Sequence, residues 1–95
     1  MPQVTLTGYL LCRTLDEAKH VEALLPEHIR LTRLEPGCLL FEVRRCEAEP
    51  ARFTVSEAFV DRAAFNAHQA RTASSAWARG TKGIPRDYQV EEREG

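Results

Sequence analysis

The alternation of apolar and polar positions divides the first third of the chain into a strand and a helix. Apolar side chains fall on both faces of residues 4–13, which predicts a strand covered on both sides. Thr14 and Glu17 then form a capping box, after which apolar residues recur at helical spacing. Pro26 interrupts this helix, because proline has no N–H and its ring crowds the carbonyl four residues back. We therefore expect either a kink at Pro26 or a second short helix that starts there and ends near Leu34.

Two further strands follow, joined by a polar hairpin loop that contains Pro50. Period-two alternation predicts these strands over residues 38–45 and 52–59. Their apolar members should lie side by side, with Leu39, Phe41 and Val43 next to Phe53, Val55 and Phe59.

The last third of the chain has the pattern of an interrupted helix and an edge strand. Asp61 can cap a helix whose apolar stripe includes His68. This helix should be interrupted near residues 72–75, and a second helical segment should begin there with Ser74 or Ser75 as its N-cap. Beyond it we expect a turn-rich linker over residues 80–85 and a last strand, at an edge of the sheet, over residues 88–93.

The order of these elements predicts an α+β fold in a single domain, residues 1–95. Right-handed crossovers place both helices on one face of a four-stranded antiparallel sheet, in the ferredoxin-like βαββαβ arrangement. Large apolar groups from at least three strands would then remain on the other face, and monomers rarely expose such a patch. We therefore expect a homodimer in which two sheets pack face to face.

Charge and composition limit the kinds of partner that the protein can bind and the cellular compartment in which we expect it. The formal net charge is −1 and the arginines are scattered, which argues against nucleic acid as a partner. No apolar run approaches the ~20 residues of a membrane span, and the first residues lack the features of a signal peptide. We therefore expect a cytoplasmic protein without membrane contact. Cys12, Cys38 and Cys46 form no C-x-x-C pair and have no histidine at ligand spacing, so neither a disulfide framework nor a metal site is indicated.

Glu57 and His68 are the candidate catalytic residues. Glu57 lies in the middle of a predicted strand, and His68 lies on the following helix, directed back toward the sheet. A histidine can take a proton from a bound hydroxyl near neutral pH, and Glu57 can orient the histidine or bind that hydroxyl. The structural alternatives are that His68 only bonds Glu57 or a backbone carbonyl, and that Glu57 pairs with an arginine such as Arg45. His28 is expected to be solvated or to cap a helix end.

Four sequence motifs extend this picture. They are Glu35-Pro36-Gly37-Cys38, the LFEV that follows within the next strand, the strand end S-E-A-F with Asp61, and A-A-F-N-A-H over residues 63–68. Together they resemble the antibiotic biosynthesis monooxygenase family, and the resemblance extends over most of residues 4–90. It implies a dimeric α+β barrel with a small-molecule pocket between each sheet and its helices. In characterised relatives that pocket oxidises quinols or polycyclic phenols with molecular oxygen and without a metal or flavin cofactor.

The resemblance therefore favours a cofactor-independent monooxygenase that acts on a small electron-rich aromatic substrate. The residues expected to contact that substrate are aromatic: Trp77, Phe59, Phe41, Tyr9 and Phe65. Trp77 and Tyr9 either line the pocket or merely fill it. Phe59 can shape an apolar pocket but cannot hydrogen-bond a phenol.

The family that the sequence resembles also includes proteins with other activities. Haem degradation is not expected, because the first strand has no asparagine and His68 stands where that branch has a tryptophan. Two alternatives stay open: a binding or stress-response module without turnover, and an isomerase that uses Glu57 and His68 as an acid/base pair.

Overall fold

Within residues 2–94, which the computed structural model describes, the chain forms four strands and three helices. In chain order they are β1 (Gln3–Leu11), α1 (Leu15–Arg33), β2 (Cys38–Arg45), β3 (Arg52–Phe59), α2 (Arg62–Ala73), α3 (Ala76–Gly80) and β4 (Arg86–Arg93).

The four strands form one antiparallel sheet in the order β2-β3-β1-β4. Alternate side chains of β1, β2 and β3 pack against the helices and form the core: Val4, Leu6, Leu10, Phe41, Val43, Phe53, Val55 and Phe59, together with Ala18, Val21, Leu25, Phe65 and Trp77. The predicted ferredoxin-like α+β fold, with the helices on one face of the sheet, is thus confirmed. So is the position of the last strand, since β4 lies at an edge.

A single helix spans Pro26. Thr14 caps α1 by accepting a hydrogen bond from the Glu17 N–H, at 3.0 Å. The helix then continues through Pro26 to Arg33, so the alternative of a second short helix is wrong. Its buried positions keep helical spacing across the proline: Ala18, Val21, Leu25, His28 and Thr32. Packing of this stripe outweighs the ~3 kcal/mol that proline costs in a helix interior. No helix in residues 2–94 is long and apolar enough to cross a membrane.

The predicted interruption of the second helix is confirmed. Asp61 caps α2 by accepting a hydrogen bond from the Ala64 N–H, at 2.8 Å. Ser75 caps α3 by accepting one from the Ala78 N–H, at 3.3 Å. The two caps fix where each helix begins, which places His68 and Trp77 over the same face of the sheet.

A β-bulge near the start of β2 breaks the predicted pairing. The register shifts between Cys38 and Leu40, after which Phe41 pairs with Glu57 and Val43 with Val55. Leu39 is 52% exposed. The prediction that Leu39 lies with Phe41 and Val43 beside the apolar side chains of β3 is therefore wrong for Leu39, because the bulge removes it from the alternation.

The sheet face away from the helices is more polar than predicted. Its larger apolar side chains are Tyr9 and Leu11 on β1 and Leu40 on β2, with Tyr9 40% and Leu40 42% exposed. On this face β3 carries arginine, threonine, serine and alanine, and β4 carries charged and amide side chains. Two strands, and not three, thus contribute large apolar groups to this face. Threonine, which β3 carries here, favours a strand although its side chain is small and polar.

Candidate functional site

A cavity of about 110 Å³ lies between the sheet and the helices. Its polar wall includes Glu57 on β3, His68 on α2 and Tyr88 on β4, and its apolar wall includes Phe41, Val55 and Trp77. The two candidate catalytic residues therefore line the same cavity.

His68 is held in the core by aromatic neighbours. Its side chain is 3% exposed. The ring lies 4.9 Å from that of Phe59 and 5.6 Å from that of Phe41, centroid to centroid. These contacts fix the plane of the imidazole, so each ring nitrogen faces a defined neighbour.

Glu35, in the turn after α1, binds one of those nitrogens. Its Oε1 lies 3.0 Å from Nδ1 of His68. Arg71, one turn further along α2, donates to the other carboxylate oxygen of Glu35 and also donates to Thr32 Oγ1, at 2.9 Å. The carboxylate of Glu35 is thereby oriented from two sides before it receives the histidine.

This hydrogen bond selects the tautomer of His68. A carboxylate only accepts, so Nδ1 carries the proton and Nε2 carries a lone pair. Nε2 lies 3.7 Å from Glu57 Oε1 and 3.5 Å from Thr72 Oγ1. Both distances exceed those of ordinary hydrogen bonds. The lone pair of Nε2 is thus available to a hydroxyl that enters the cavity.

Burial shifts both ionisable groups toward their neutral forms. It raises the pKa of Glu57 to about 7, with the charge of Glu35 as a smaller cause. It also lowers the pKa of His68, although Glu35 opposes that shift. Glu57 near neutral pH is therefore present both as the acid and as the carboxylate, and the pair can hold one proton between them.

His28 completes the cavity wall from α1. Its ring stacks on Trp77, with centroids 4.4 Å apart and planes within 2°, and meets the Phe41 ring edge-on at 5.3 Å. The side chain is 5% exposed, and burial lowers the pKa of His28 to about 3. The expectation of a solvated or capping residue is therefore wrong, because α1 does not break at Pro26 and carries His28 into the core.

The aromatic residues predicted to bind substrate divide into three groups by position. Phe41 and Trp77 line the cavity beside Glu57 and His68. Phe59 lies against His68, and Phe65 packs on Phe59 at 5.7 Å, so both support the histidine from behind. Tyr9 lies on the opposite sheet face under the guanidinium of Arg52 and does not reach the cavity.

The pairing proposed for Glu57 as a structural alternative is not the one found. Arg45 donates to the Pro50 carbonyl at 2.6 Å and contacts Glu22 at 3.4 Å. Glu57 faces His68 instead. An arginine on the exposed end of β2 keeps its charge near solvent, which a contact with the buried Glu57 would prevent.

Sequence reasoning missed Glu35, Arg71 and Tyr88 as parts of the site. Glu35 reaches His68 from 33 positions away, and no local pattern reveals that contact. Tyr88 was only part of a predicted edge strand, yet burial raises the pKa of Tyr88 to about 12. For His28 a signal existed, because it continues the helical spacing of Ala18, Val21 and Leu25.

The arrangement as a whole is suited to proton transfer at a bound hydroxyl. It offers a lone pair on His68, a carboxyl group whose pKa is raised to about 7 and an apolar wall that includes Phe41, Val55 and Trp77. Among residues 2–94 no group of three or more His, Cys, Asp and Glu side chains is placed to bind a metal ion.

Comparisons with known proteins agree with this fold. A candidate antibiotic biosynthesis monooxygenase from Nitrosomonas europaea superposes with a TM-score of 0.82 at 19% identity, covering 95% of this chain and 88% of that one. One from Deinococcus radiodurans superposes with a TM-score of 0.76 at 26% identity, covering 97% and 91%. No curated protein matches the sequence.

The sequence itself matches one family profile, and the match runs over residues 14–80, well beyond half of the chain. It includes α1, the turn with Glu35, and both α2 and α3, which together hold His28, His68 and Trp77. The chain therefore belongs to the antibiotic biosynthesis monooxygenase family.

Proposed function

We propose that this protein is a cofactor-independent monooxygenase that oxidises a small electron-rich aromatic substrate, a quinol or phenol, in the cavity beside His68. The observation that carries the proposal is the Glu35–His68 hydrogen bond, which leaves Nε2 as an acceptor inside a largely apolar space. Family membership supports the reaction class.

His68 acts as the base in this proposal. The substrate hydroxyl donates to Nε2, and its proton moves to His68 while the electron pair of the O–H bond stays on the phenolate oxygen. Glu35 stabilises the imidazolium that forms, because its carboxylate remains bonded to Nδ1. The apolar residues Phe41, Val55 and Trp77 leave the phenolate poorly solvated, which raises its tendency to give an electron to oxygen.

The ring supplies all the electrons that oxygen needs. One-electron transfer gives a radical pair, whose recombination forms a carbon–oxygen bond and a ring peroxide. The O–O bond then breaks, one oxygen atom stays on the ring and the other leaves as water. For a benzenediol the balance is diol plus O2 giving hydroxyquinone plus H2O, so no external reductant enters.

Oxygen uptake by the purified protein tests the proposal. We expect uptake with hydroquinone above the autoxidation blank, and a fall of at least ~10-fold in His68→Gln, equal to about 1.4 kcal/mol of transition-state stabilisation. His20→Gln is the matched control, because His20 is an exposed histidine on α1 and should leave the rate unchanged. Equal rates in His68→Gln and the control would overturn the assignment of His68 as the base.

Acid/base isomerisation is the second candidate, and the carboxyl of Glu57 favours it. A group with a pKa of about 7 lying 3.7 Å from Nε2 of His68 can return a proton to a different atom of the substrate. This function needs no oxygen. Turnover of a substrate under nitrogen that is slowed by both Glu57→Gln and His68→Gln would favour the isomerase over the monooxygenase.

A homodimer is the assembly that we propose for the protein. Family membership favours it, since the domains that the sequence resembles are dimeric α+β barrels. The sheet face away from the helices is available for that contact and presents Tyr9 and Leu40 to solvent in the single chain. The helix face is occupied by the cavity and its walls, so a sheet-to-sheet contact leaves the site accessible.

A further inference from the structure

Trp77 forms part of the cavity wall although its own helix is very short. α3 has five residues, and helices of fewer than ~12 residues are unstable in water without contacts from outside. Trp77 is nevertheless only 8% exposed, and its ring stacks on that of His28 with the planes within 2°. Groups outside α3 must therefore hold Trp77 in this position.

Thr81 holds the backbone of Trp77 at the C-terminal end of α3. Its side chain is fully buried, with 0% of the residue exposed. The Thr81 N–H donates to the Trp77 carbonyl at 2.9 Å, and the Thr81 hydroxyl donates to the same carbonyl at 2.7 Å. A hydroxyl has one proton to donate and two lone pairs that accept. Because the proton is given to Trp77, the lone pairs of Oγ1 are free to accept from another group.

Arg86 on β4 is the group that donates to Thr81. Its Nη2 donates to Thr81 Oγ1 at 2.7 Å, and its Nη1 donates to the carbonyls of Ile84, at 2.7 Å, and of Thr81, at 3.2 Å. This pattern uses the rigid, planar set of donors that arginine has and lysine lacks. Arg86 pairs with Leu10 of β1, so the sheet holds its backbone. Residues 81–84 are thereby tied to the sheet.

We propose that Arg86 is a positioning residue of the candidate site and acts on Trp77 through Thr81. The contacts are continuous: Arg86 donates to the Thr81 hydroxyl, and that hydroxyl donates to the Trp77 carbonyl. Arg86 also lies on the cavity wall, but its hydrogen bonds go to residues 81–84. Its role is thus to orient the wall that Trp77 forms, and not to contact the substrate. The consequence for turnover rests on the proposed function.

The fluorescence of Trp77 tests this assignment without a substrate, because Trp77 is the one tryptophan of the chain. Emission spectra and acrylamide quenching are measured on the wild-type protein, Arg86→Lys and Arg93→Lys, where far-UV circular dichroism shows all three to be folded. The lysine in Arg86→Lys keeps the charge and loses the planar donors. Arg93→Lys is the matched control, because Arg93 lies on the same strand with its side chain 69% exposed.

We expect the emission of Arg86→Lys to shift to longer wavelength and its quenching to become faster, because Trp77 is held less firmly in its buried position. The emission of Arg93→Lys should match that of the wild type. Emission and quenching in Arg86→Lys that are identical to those of the wild type would overturn the proposal.

Thr81 offers a second pair of variants, which tests the middle of the contact. Thr81→Val keeps the shape of the side chain and removes the hydroxyl, whereas Thr81→Ser keeps the hydroxyl. We expect Thr81→Val to reproduce the emission shift of Arg86→Lys, and Thr81→Ser to stay close to the wild type. In the double variant of Arg86→Lys and Thr81→Val, the shift should be smaller than the sum of the two single shifts. Fully additive shifts would overturn the route through Thr81.

Steady-state oxygen uptake with hydroquinone tests the role of Arg86 in turnover. We expect Arg86→Lys and Thr81→Val both to raise KM, with a smaller fall in kcat than in His68→Gln, because they loosen the cavity wall and leave the base in place. A rise in KM in Arg86→Lys that Thr81→Val does not share would overturn the proposal, since it would indicate direct contact between Arg86 and the substrate.

The two proposals fail in different ways. A wild-type protein that consumes no oxygen, in which Arg86→Lys still shifts the emission of Trp77, would remove the monooxygenase and leave the role of Arg86 standing. Unchanged emission in Arg86→Lys, together with oxygen uptake that depends on His68, would remove the role of Arg86 and leave the monooxygenase.

Discussion

At the scale of single residues, the chemistry depends on burying a carboxyl and an imidazole side by side. Burial disfavours charge on either group, so it raises the pKa of Glu57 and lowers that of His68. These opposite shifts reverse the order of the two proton affinities relative to water, because the pKa of Glu57 rises to about 7 while that of His68 falls below its ordinary value. Glu57 can then hold a proton near neutral pH while the imidazole of His68 stays neutral, which gives the site one proton donor and one acceptor for general acid/base catalysis.

The stability of Glu57→Gln should show this burial directly. Because the pKa of Glu57 is raised from 4.5 to about 7 in the folded state, the folded protein binds more protons than the unfolded chain between these values. The free energy of unfolding therefore falls as pH rises through this window, by roughly 3 kcal/mol at most. The glutamine in Glu57→Gln cannot ionise. The free energy of unfolding of this variant, measured with urea, should therefore rise relative to that of the wild type from pH 5 to pH 8.

Glu47→Gln, on an exposed residue of the β2–β3 loop, is the matched control and should show no such gain. A stability difference between Glu57→Gln and wild type that is the same at pH 5 and pH 8 would contradict the burial of an ionisable Glu57.

Local sequence signals located only part of the site. Glu57 and His68 could be singled out because each is a polar residue on an apolar face of its element. Glu35 could not, since its contact with His68 depends on how the turn after α1 meets α2. The prediction for His28 was wrong because it assumed that Pro26 breaks the helix. In the structure, tertiary packing of the buried helix face keeps α1 continuous across Pro26.

At the scale of elements, the turn between α1 and β2 is held tightly against α2. Gly37 allows this approach, because a Cβ at that position would lie 2.3 Å from the Ala64 Cβ and 3.2 Å from Val60 Cγ2. The Val60 N–H also donates to the Gly37 carbonyl, at 2.9 Å. The close packing sets the distance between Glu35, two residues before Gly37, and His68, one turn after Ala64.

Gly37→Ala should therefore disturb both the packing and the site. We expect a loss of about 1–3 kcal/mol in the free energy of unfolding, as for other overpacked contacts. Adding Ala64→Gly removes the opposing methyl group, so the double variant should recover part of the loss in a double-mutant cycle. Strictly additive effects of the two substitutions would contradict a direct contact.

The elements themselves were largely predictable, and their irregularities were not. The caps at Thr14, Asp61 and Ser75 lie where short polar side chains precede apolar stripes, a local signal. The bulge between Cys38 and Leu40 has no such signal, because it arises from how β2 pairs with β3.

At the scale of the whole molecule, the proposed homodimer depends on the face of the sheet away from the helices. Tyr9 and Leu40 are exposed there among threonine, serine and charged side chains. That mixture fits a contact between two folded chains better than a core, since interfaces of this kind combine apolar centres with polar rims.

Light scattering coupled to gel filtration should give a mass twice the 10.8 kDa of one chain. Leu40→Lys should lower it toward the monomer, because it places a charge in the proposed contact. Leu15→Lys is the control, since Leu15 is 56% exposed at the start of α1 and lies outside the sheet. A wild-type protein that elutes with the mass of one chain would contradict the dimer.

The fate of the oxygen atoms distinguishes a monooxygenase from an oxidase that only removes hydrogen from the diol. The protein is incubated with hydroquinone under ¹⁸O2, and the product is analysed by mass spectrometry beside His68→Gln. We expect a hydroxyquinone that carries one ¹⁸O atom, formed at least ~10-fold more slowly by the variant. A quinone without ¹⁸O, or product formed equally fast by both proteins, would contradict a monooxygenase that uses His68 as its base.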